Sequence, residues 1–282
     1  MTDARAAADE QAAIWNGAAG RGWAALQDVL DSAFRPFEEH LAAAAVAAGA
    51  ESALDVGCGA GAVTQAVARA TGGACVGVDI SGPLIAAARA RAGAAGAAAR
   101  FILADAGTHA FEPEAFDIIV SRFGVMFFAD PVRAFANLRA AAREKGALCV
   151  IAWRSAKENP FMTAAERAAA PLLPALPPRE PDAPGQFAFA DRERVARILK
   201  ESGWRAVRIA PLDMPCVFPE AALVPYFTTL GPVGRVLQET DEAARPALRE
   251  KIVAAVRPAF EPFVQDGEVR FDAACWRIEA AA

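Results

Sequence analysis

The residues of this chain that could do chemistry gather at one glycine bend. Leu54-Asp55-Val56-Gly57-Cys58-Gly59-Ala60-Gly61 runs from a short apolar stretch straight into glycines at alternate positions. Such a bend lets a ligand approach the backbone closely, and a helix beginning there presents free N–H groups. Three carboxylates accompany it. Asp55 precedes the bend, Asp79 ends the apolar run Ala74 to Val78, and Asp105 follows the run Phe101 to Leu103. Strand C-termini in an open α/β sheet converge on one crevice, so the three acids would share a site. An Asp at such a position can also do no more than cap the next helix.

Two nucleotide chemistries fit the glycines. Gly57-x-Gly59-x-x-Ala62 satisfies the dinucleotide fingerprint, and Asp79 can accept ribose hydroxyl protons in either case. The acids separate the two. Negative charge beside the bend suits a sulfonium and an α-amino group, and it is unfavourable beside a pyrophosphate. Asp105 can accept the adenine amino group. The reading is S-adenosylmethionine, with a nicotinamide-dependent oxidoreductase as the alternative and a non-catalytic S-adenosylmethionine-binding protein as another.

The elements that must position these residues alternate. Ala53–Val56, Ala74–Val78, Phe101–Leu103, Phe116–Val120 and Ala147–Trp153 are short apolar runs separated by helical patterns. This predicts βαβ units around a parallel sheet buried on both faces. Ahead of them, residues 1–50 read as helices, interrupted near Pro36, with a glycine-rich segment holding Trp15 and Trp23. After Trp153 the rhythm changes. Pro171, Pro174, Pro177, Pro178, Pro181 and Pro184 predict an irregular linker. A helix over Asp191–Ser202, a strand over Trp204–Leu212, helices through Phe218–Phe263 and a last strand over Phe271–Ile278 follow. The expected organisation is an N-terminal helical lid (1–50), a cofactor-binding core (51–160), and acceptor-site insertions with the final strands (161–282), all in one domain.

Taken together, these stretches resemble a class I S-adenosylmethionine-dependent methyltransferase, of the bacterial small-molecule group. The matching residues are the bend, Val76-Gly77-Val78-Asp79-Ile80-Ser81, Ala104-Asp105-Ala106, and Phe116 through Phe128 with its Ser121-Arg122-Phe123-Gly124. Ala129-Asp130-Pro131, Phe135-Ala136-Asn137-Leu138, Trp15-Asn16-Gly17 and Gly20-Arg21-Gly22-Trp23 extend the match. The resemblance implies a doubly wound, mostly parallel seven-stranded α/β sheet of order 3-2-1-4-5-7-6, its last strand antiparallel, with helical cap insertions. It implies that Gly57, Cys58, Gly59 and Gly61 line the methionine and ribose, that Asp79 holds the ribose and that Ile80 packs on adenine. Asp105 and Ala106 would bind the adenine edge, with Ser121 and Arg122 beneath the methionine end. The implied activity is methyl transfer to a small apolar or aromatic metabolite at O, N or C.

Transfer from an activated sulfonium asks chiefly for alignment and a dry site, and for a base only where the acceptor is protonated. His109 is the candidate base, set against a surface role; His40 reads as structural. Arg122 could grip an acidic substrate or the cofactor carboxylate, or simply pair with an Asp. Trp15 and Trp23 could lid the cofactor or pack the N-terminal helices. Phe123, Met126, Phe127 and Phe128, with Trp153, Phe187 and Phe189, are expected to supply an apolar acceptor site. No His/Asp/Glu cluster has metal-ligand spacing, so no metal is expected.

Composition narrows the partners. A formal charge of −5 without a Lys/Arg cluster gives no electrostatic case for nucleic acid. No apolar stretch is long enough to span a bilayer, and Met1 to Gln11 lacks a secretory pattern. Five cysteines, an odd number without a C-x-x-C pair, read as free thiols. A cytoplasmic monomer or homodimer acting on a small molecule is the expectation.

Overall fold

The structure, a computed structural model, describes residues 2–95, 98–174, 180 and 183–282. Much of the expected proline-rich linker, including Pro177, Pro178 and Pro181, lies outside the described residues. Four helices open the chain: α1 (Thr2–Asn16), α2 (Ala18–Ala25), α3 (Gln27–Ala33) and α4 (Arg35–Ala47). Pro36 falls in the first turn of α4, where its missing N–H costs nothing. The alternating region gives β1 (Ser52–Val56), α5 (Ala62–Thr71), β2 (Ala74–Asp79), α6 (Gly82–Ala95) and β3 (Ala99–Leu103). β4 (Phe116–Arg122), α7 (Pro131–Ala141) and β5 (Ala142–Trp153) complete it. Then come α8 (Pro160–Ala169), α9 (Arg192–Glu201), β6 (Arg205–Pro219), α10 (Leu223–Thr229), α11 (Gly231–Glu239), α12 (Arg245–Val256), β7 (Val264–Gln265) and β8 (Glu268–Ala281).

One sheet holds all the strands, in the order β3-β2-β1-β4-β5-β8-β6. β1 to β5 pair in parallel, and β8 lies antiparallel between β5 and β6. This is the expected order with one correction: the described residues form eight strands, because two-residue β7 folds back on β8. Ile118, Ile119 and Val120 on β4 are each at most 1% exposed, so both faces of the sheet are covered. The chain reverses direction across the sheet between β1 and β4, and the site opens at the C-terminal ends there.

Three boundaries differ from the sequence reading. β5 begins at Ala142 rather than Ala147, because the pairing with β4 shifts register after Phe116. Gly146 permits the irregularity; a Cβ there would lie 2.9 Å from the Arg143 carbonyl oxygen. β6 runs on to Pro219 through Pro211 and Pro215. The prolines are spaced by even numbers on an edge strand, so their missing donors all face the open edge. β8 extends to Glu268–Ala281, held along its length by β6. No described helix is long and apolar enough to cross a membrane.

Candidate functional site

The bend after β1 is built by backbone bonds and left-handed glycines. Gly57 and Cys58 donate their N–H groups to the Val78 carbonyl at 2.8 and 3.1 Å, which ties the bend to β2. The glycines then divide the work. Gly57 (φ +66°) lies against Gly124, where a Cβ would come within 2.6 Å of its Cα. Gly61 (φ +83°) lies against the Phe101 ring, 2.7 Å from an added Cβ, and does not line the cavity. Gly59 (φ +55°) differs, since a Cβ there would meet nothing within 4 Å. Gly61 thus packs helix α5 against β3, whereas Gly59 turns an unobstructed backbone toward open space.

That space is a cavity of about 1350 Å³. It exceeds the roughly 300–1,000 Å³ usual for one small ligand. One side is lined by Asp55, Gly57, Cys58, Gly59, Asp79, Ile80, Asp105 and Ala106. Phe123, Met126, Trp153, Phe161, Phe227 and Phe260 also line it, together with polar residues such as Glu166, Arg235 and Glu239.

The carboxylates do not play one part. Asp79 accepts from Gly59 N–H and from Ser81 N–H, each at 2.8 Å, so one side chain fixes both the bend and the loop after β2. Burial raises its pKa, partly offset by those bonds. Asp55 is 1% exposed; one oxygen accepts from Thr64 Oγ1 at 2.6 Å and the other has no partner. Burial pushes its pKa up to about 6, against the Thr64 bond and the Arg122 charge. Asp105 closes its own turn, accepting from Gly107 N–H at 2.8 Å and Thr108 Oγ1 at 3.2 Å, while still reaching the cavity wall. Burial also holds the Cys58 thiol protonated, so it is a neutral lining group.

Other expected residues separate. Trp23 lines the cavity with Trp15, the rings edge-on at 6.1 Å, and Trp15 meets Phe127 at 5.1 Å. Phe123, Met126, Phe127, Phe128 and Trp153 also line it. Ser121 does not: its hydroxyl donates to the Val56 carbonyl at 2.6 Å and accepts from Gly124 N–H, locking β4 to the bend. His109 does not either. Its ring packs edge-on against Phe111 at 4.7 Å, one turn beyond Asp105, so nothing places it at the reacting end. Phe187 and Phe189 are likewise off the wall; Phe189 stacks on Phe135 in the core. Arg122 lines the cavity, with Nη2 3.7 Å from Asp31 and its guanidinium over the Phe34 ring.

The sequence reading missed Gln27, Tyr226 and Phe161, and gave Asn16, named within Trp15-Asn16-Gly17, no role of its own. Gln27 reaches the cavity from α3, a turn before Asp31. Asn16 bridges the lid to the core, donating to the Ile80 carbonyl at 3.0 Å and accepting from Gly82 N–H at 2.8 Å. Ser81 Oγ adds a 2.7 Å bond to the Trp15 carbonyl. Tyr226 is the chain's one tyrosine, and its hydroxyl lies 3.5 Å from Met162 Sδ. Phe161 stacks on Phe271 at 3.9 Å. Helical periodicity marks such residues only as core, so composition gave no signal for them; the polar Gln27 at four residues from Asp31 was the one available hint. Among the described residues no group of acids, histidines and cysteines could hold a metal ion.

The comparisons with known proteins bear on the fold. A family profile described as "Methyltransferase domain" matches residues 54–150, from β1 into β5. No curated protein matches. Among solved structures, the YcgJ protein from Bacillus subtilis is 17% identical with a TM-score of 0.54, over 86% of this chain and 97% of that one. The [4+2]-cyclase SpnF is 20% identical with a TM-score of 0.53, over 87% of this chain and 80% of that one. A structure described by the conversion of a disulfide bond into a thioacetal group during echinomycin biosynthesis is 21% identical with a TM-score of 0.55, over 85% and 80%.

Proposed function

We propose that the chain is a class I S-adenosylmethionine-dependent methyltransferase and that it methylates a small, apolar or aromatic acceptor bound in the apolar part of the cavity. The single observation that carries this reading is the size and split lining of that cavity. It exceeds the space one ligand uses, and it is polar at the glycine bend and rich in aromatic rings beyond it. Domain roles follow the same division: residues 1–50 as lid, 51–160 as cofactor core, 161–282 as acceptor insertions and closing strands.

The residues at the bend fit the cofactor. Gly59 gives open backbone, and Asp55 keeps a buried unpaired oxygen that a cation would satisfy. A pyrophosphate would meet that same charge as repulsion, which disfavours the nicotinamide alternative. In our reading Asp79 holds the ribose hydroxyls, Ile80 and Ala106 pack on the adenine, and Asp105 accepts from its edge. Cys58 and Gly57 shape the floor. Trp15 and Trp23 close the lid side, where an aromatic face tolerates a nearby cation. When bound, S-adenosylmethionine supplies an electrophilic methyl group on a sulfonium.

The chain's task is then alignment and exclusion of water. Phe123, Met126 and Trp153 form the wall beyond the bend, and Phe161, Phe227 and Phe260 the far wall. Burial raises the Tyr226 pKa, so its hydroxyl stays protonated and can donate to an acceptor oxygen. Five buried free thiols suit a cytoplasmic, reducing setting. The test is transfer of tritium from S-[methyl-³H]adenosylmethionine to a panel of phenols, aromatic amines and aromatic acids. Labelled product with stoichiometric S-adenosylhomocysteine is expected. Tight cofactor binding with no turnover across the panel would favour the non-catalytic reading.

A further inference from the structure

Past Trp153 the sheet narrows to a ribbon. β5 pairs with β8 only as far as Trp153 and Cys275, whereas β6 and β8 stay paired from Asp213 and Ala274 out to Pro219 and Glu268. The ribbon therefore overhangs the end of the sheet at which the cavity opens. Cys216 pairs with Phe271, and Phe218 stands two residues beyond Cys216, so Phe218 and Phe271 share one face of the ribbon. Each holds a ring of the cavity wall. Phe271 stacks on Phe161 at 3.9 Å, and Phe218 stacks on Tyr226 at 5.4 Å with the planes 29° apart. Phe161 and Tyr226 meet each other at 5.6 Å.

Tyr226 differs from the rings around it by one atom. Its hydroxyl donates to Met162 Sδ at 3.5 Å and has no other hydrogen-bond partner among the described residues. A thioether is a weak acceptor, so the hydroxyl is poorly satisfied where an unmade hydrogen bond is costly. Phe218 and Phe161 keep the ring from swinging. Rotation about the Cζ–O bond alone can carry the hydrogen from Met162, itself on the cavity wall, to a better acceptor inside the cavity. Arg235 and Glu239 line the same cavity but are exposed to solvent, where a hydrogen bond discriminates little. We propose that Tyr226 is the specificity-determining residue for the acceptor: its hydroxyl turns from Met162 to an oxygen on an aromatic or apolar ligand, and so selects ligands with a hydroxyl, carbonyl or ether oxygen over their hydrocarbon isosteres. This rests on the acceptor reading above and narrows it to oxygen-bearing compounds. Burial raises the pKa of the phenol, so it gives up no proton in this contact; it positions the ligand without activating it.

Two probes of matched shape test this on the full chain with S-adenosylhomocysteine present. Methoxynaphthalene carries an ether oxygen; ethylnaphthalene has a methylene in its place. Binding is followed by ligand fluorescence. Tyr226→Phe keeps the ring that Phe218 and Phe161 hold, and should weaken methoxynaphthalene about fivefold to tenfold while ethylnaphthalene changes by less than about twofold. Its affinity for S-adenosylhomocysteine should stay that of the wild type. Met162→Leu removes only the resting partner and should bind methoxynaphthalene at least as tightly as the wild type. A second readout needs no substitution. The chain has one tyrosine, so ¹³C at tyrosine Cζ gives one resonance, which methoxynaphthalene should shift well beyond the effect of ethylnaphthalene. Equal changes for both probes in Tyr226→Phe, or no change for either, would overturn the assignment. So would a loss in Met162→Leu as large as that in Tyr226→Phe, or a wild type that binds S-adenosylhomocysteine and neither naphthalene. Failure of the wild type to bind S-adenosylhomocysteine would instead bring down the cofactor reading.

Discussion

The two halves of the cavity are built by opposite means. The bend side is local and polar. Asp55, Gly57, Cys58, Gly59, Asp79, Ile80, Asp105 and Ala106 supply it, and much of its geometry is backbone: the Gly59 N–H to Asp79, the Gly57 N–H to Val78, the close Gly57–Gly124 approach. The far side is assembled from distant segments and mixes rings with polar groups such as Glu166, Arg235 and Glu239. Phe161 meets Phe218, Phe260, Phe263 and Phe271, which come from β6, the turns after α12 and β8. A backbone-made site tolerates drift elsewhere in the sequence, whereas a packed aromatic wall changes shape with any one of its members. On the proposed function, that is the physical reason one part would keep the cofactor while the other varies with the acceptor.

The largest effect should come from the aromatic side. Phe161→Ala removes the centre of that ring cluster and should cost about 3–5 kcal/mol of stability, read as a shift in the urea midpoint. If the halves are as separate as described, the fraction that stays folded should bind S-adenosylhomocysteine normally. A matching loss of affinity would show them to be one unit. Next comes Asp79→Ala, expected to weaken S-adenosylhomocysteine by about 1.5–3 kcal/mol in calorimetry. It also strips the acceptor from two backbone N–H groups, so a lowered melting temperature should accompany it.

Acidity sharpens the contrast through Asp55 on the bend side. Asp55, facing Thr64, Arg122 and Asp79, has its pKa raised to about 6, above the ordinary carboxylate range. The folded chain therefore holds this proton to higher pH than the unfolded chain. Between roughly pH 4 and 6 the native state binds more protons, so this group's contribution to stability falls as pH rises. An ammonium beside it reverses the preference by favouring the ionised form. Affinity for S-adenosylhomocysteine should drop about tenfold per unit below pH 6, while affinity for methylthioadenosine, which lacks the amino acid, follows this group far less. Parallel pH profiles would separate Asp55 from the amino-acid end. The smallest effect is expected at His109, off the cavity wall: His109→Ala should change turnover less than about twofold and stability by under about 0.5 kcal/mol.

The same contrast governs what was legible in the sequence. The bend, its acids and the alternation of strands with helices could be read from residues 53–153 because strand periodicity and glycine spacing are local signals, whereas the sheet order came only with the family resemblance. The roles within the motif could not. Gly61 and Ser121 look like site residues by spacing, yet one packs on Phe101 and the other locks two strands. Distance to a ring or a carbonyl decides this, and no local pattern encodes it. His109 failed for a similar reason, since a residue four beyond Asp105 can turn either inward or outward. The sequence reading ends this strand at Leu212, whereas β6 runs on through Pro215 to Pro219, which its place at the sheet's edge permits. Gln27 and Tyr226 carried no motif at all; the folded chain alone brings them to the wall.

The central claim concerns the open backbone at Gly59, and a pair of valine substitutions tests it most directly. Gly59→Val places a side chain where the cofactor would lie, and Gly61→Val drives one into Phe101. Both pay the left-handed backbone cost of about 1–2 kcal/mol. Calorimetric titration with S-adenosylhomocysteine should find Gly59→Val folded and without measurable affinity, and Gly61→Val strongly destabilised. A folded Gly59→Val protein that binds S-adenosylhomocysteine as tightly as the wild type would contradict the account and move the site away from this bend.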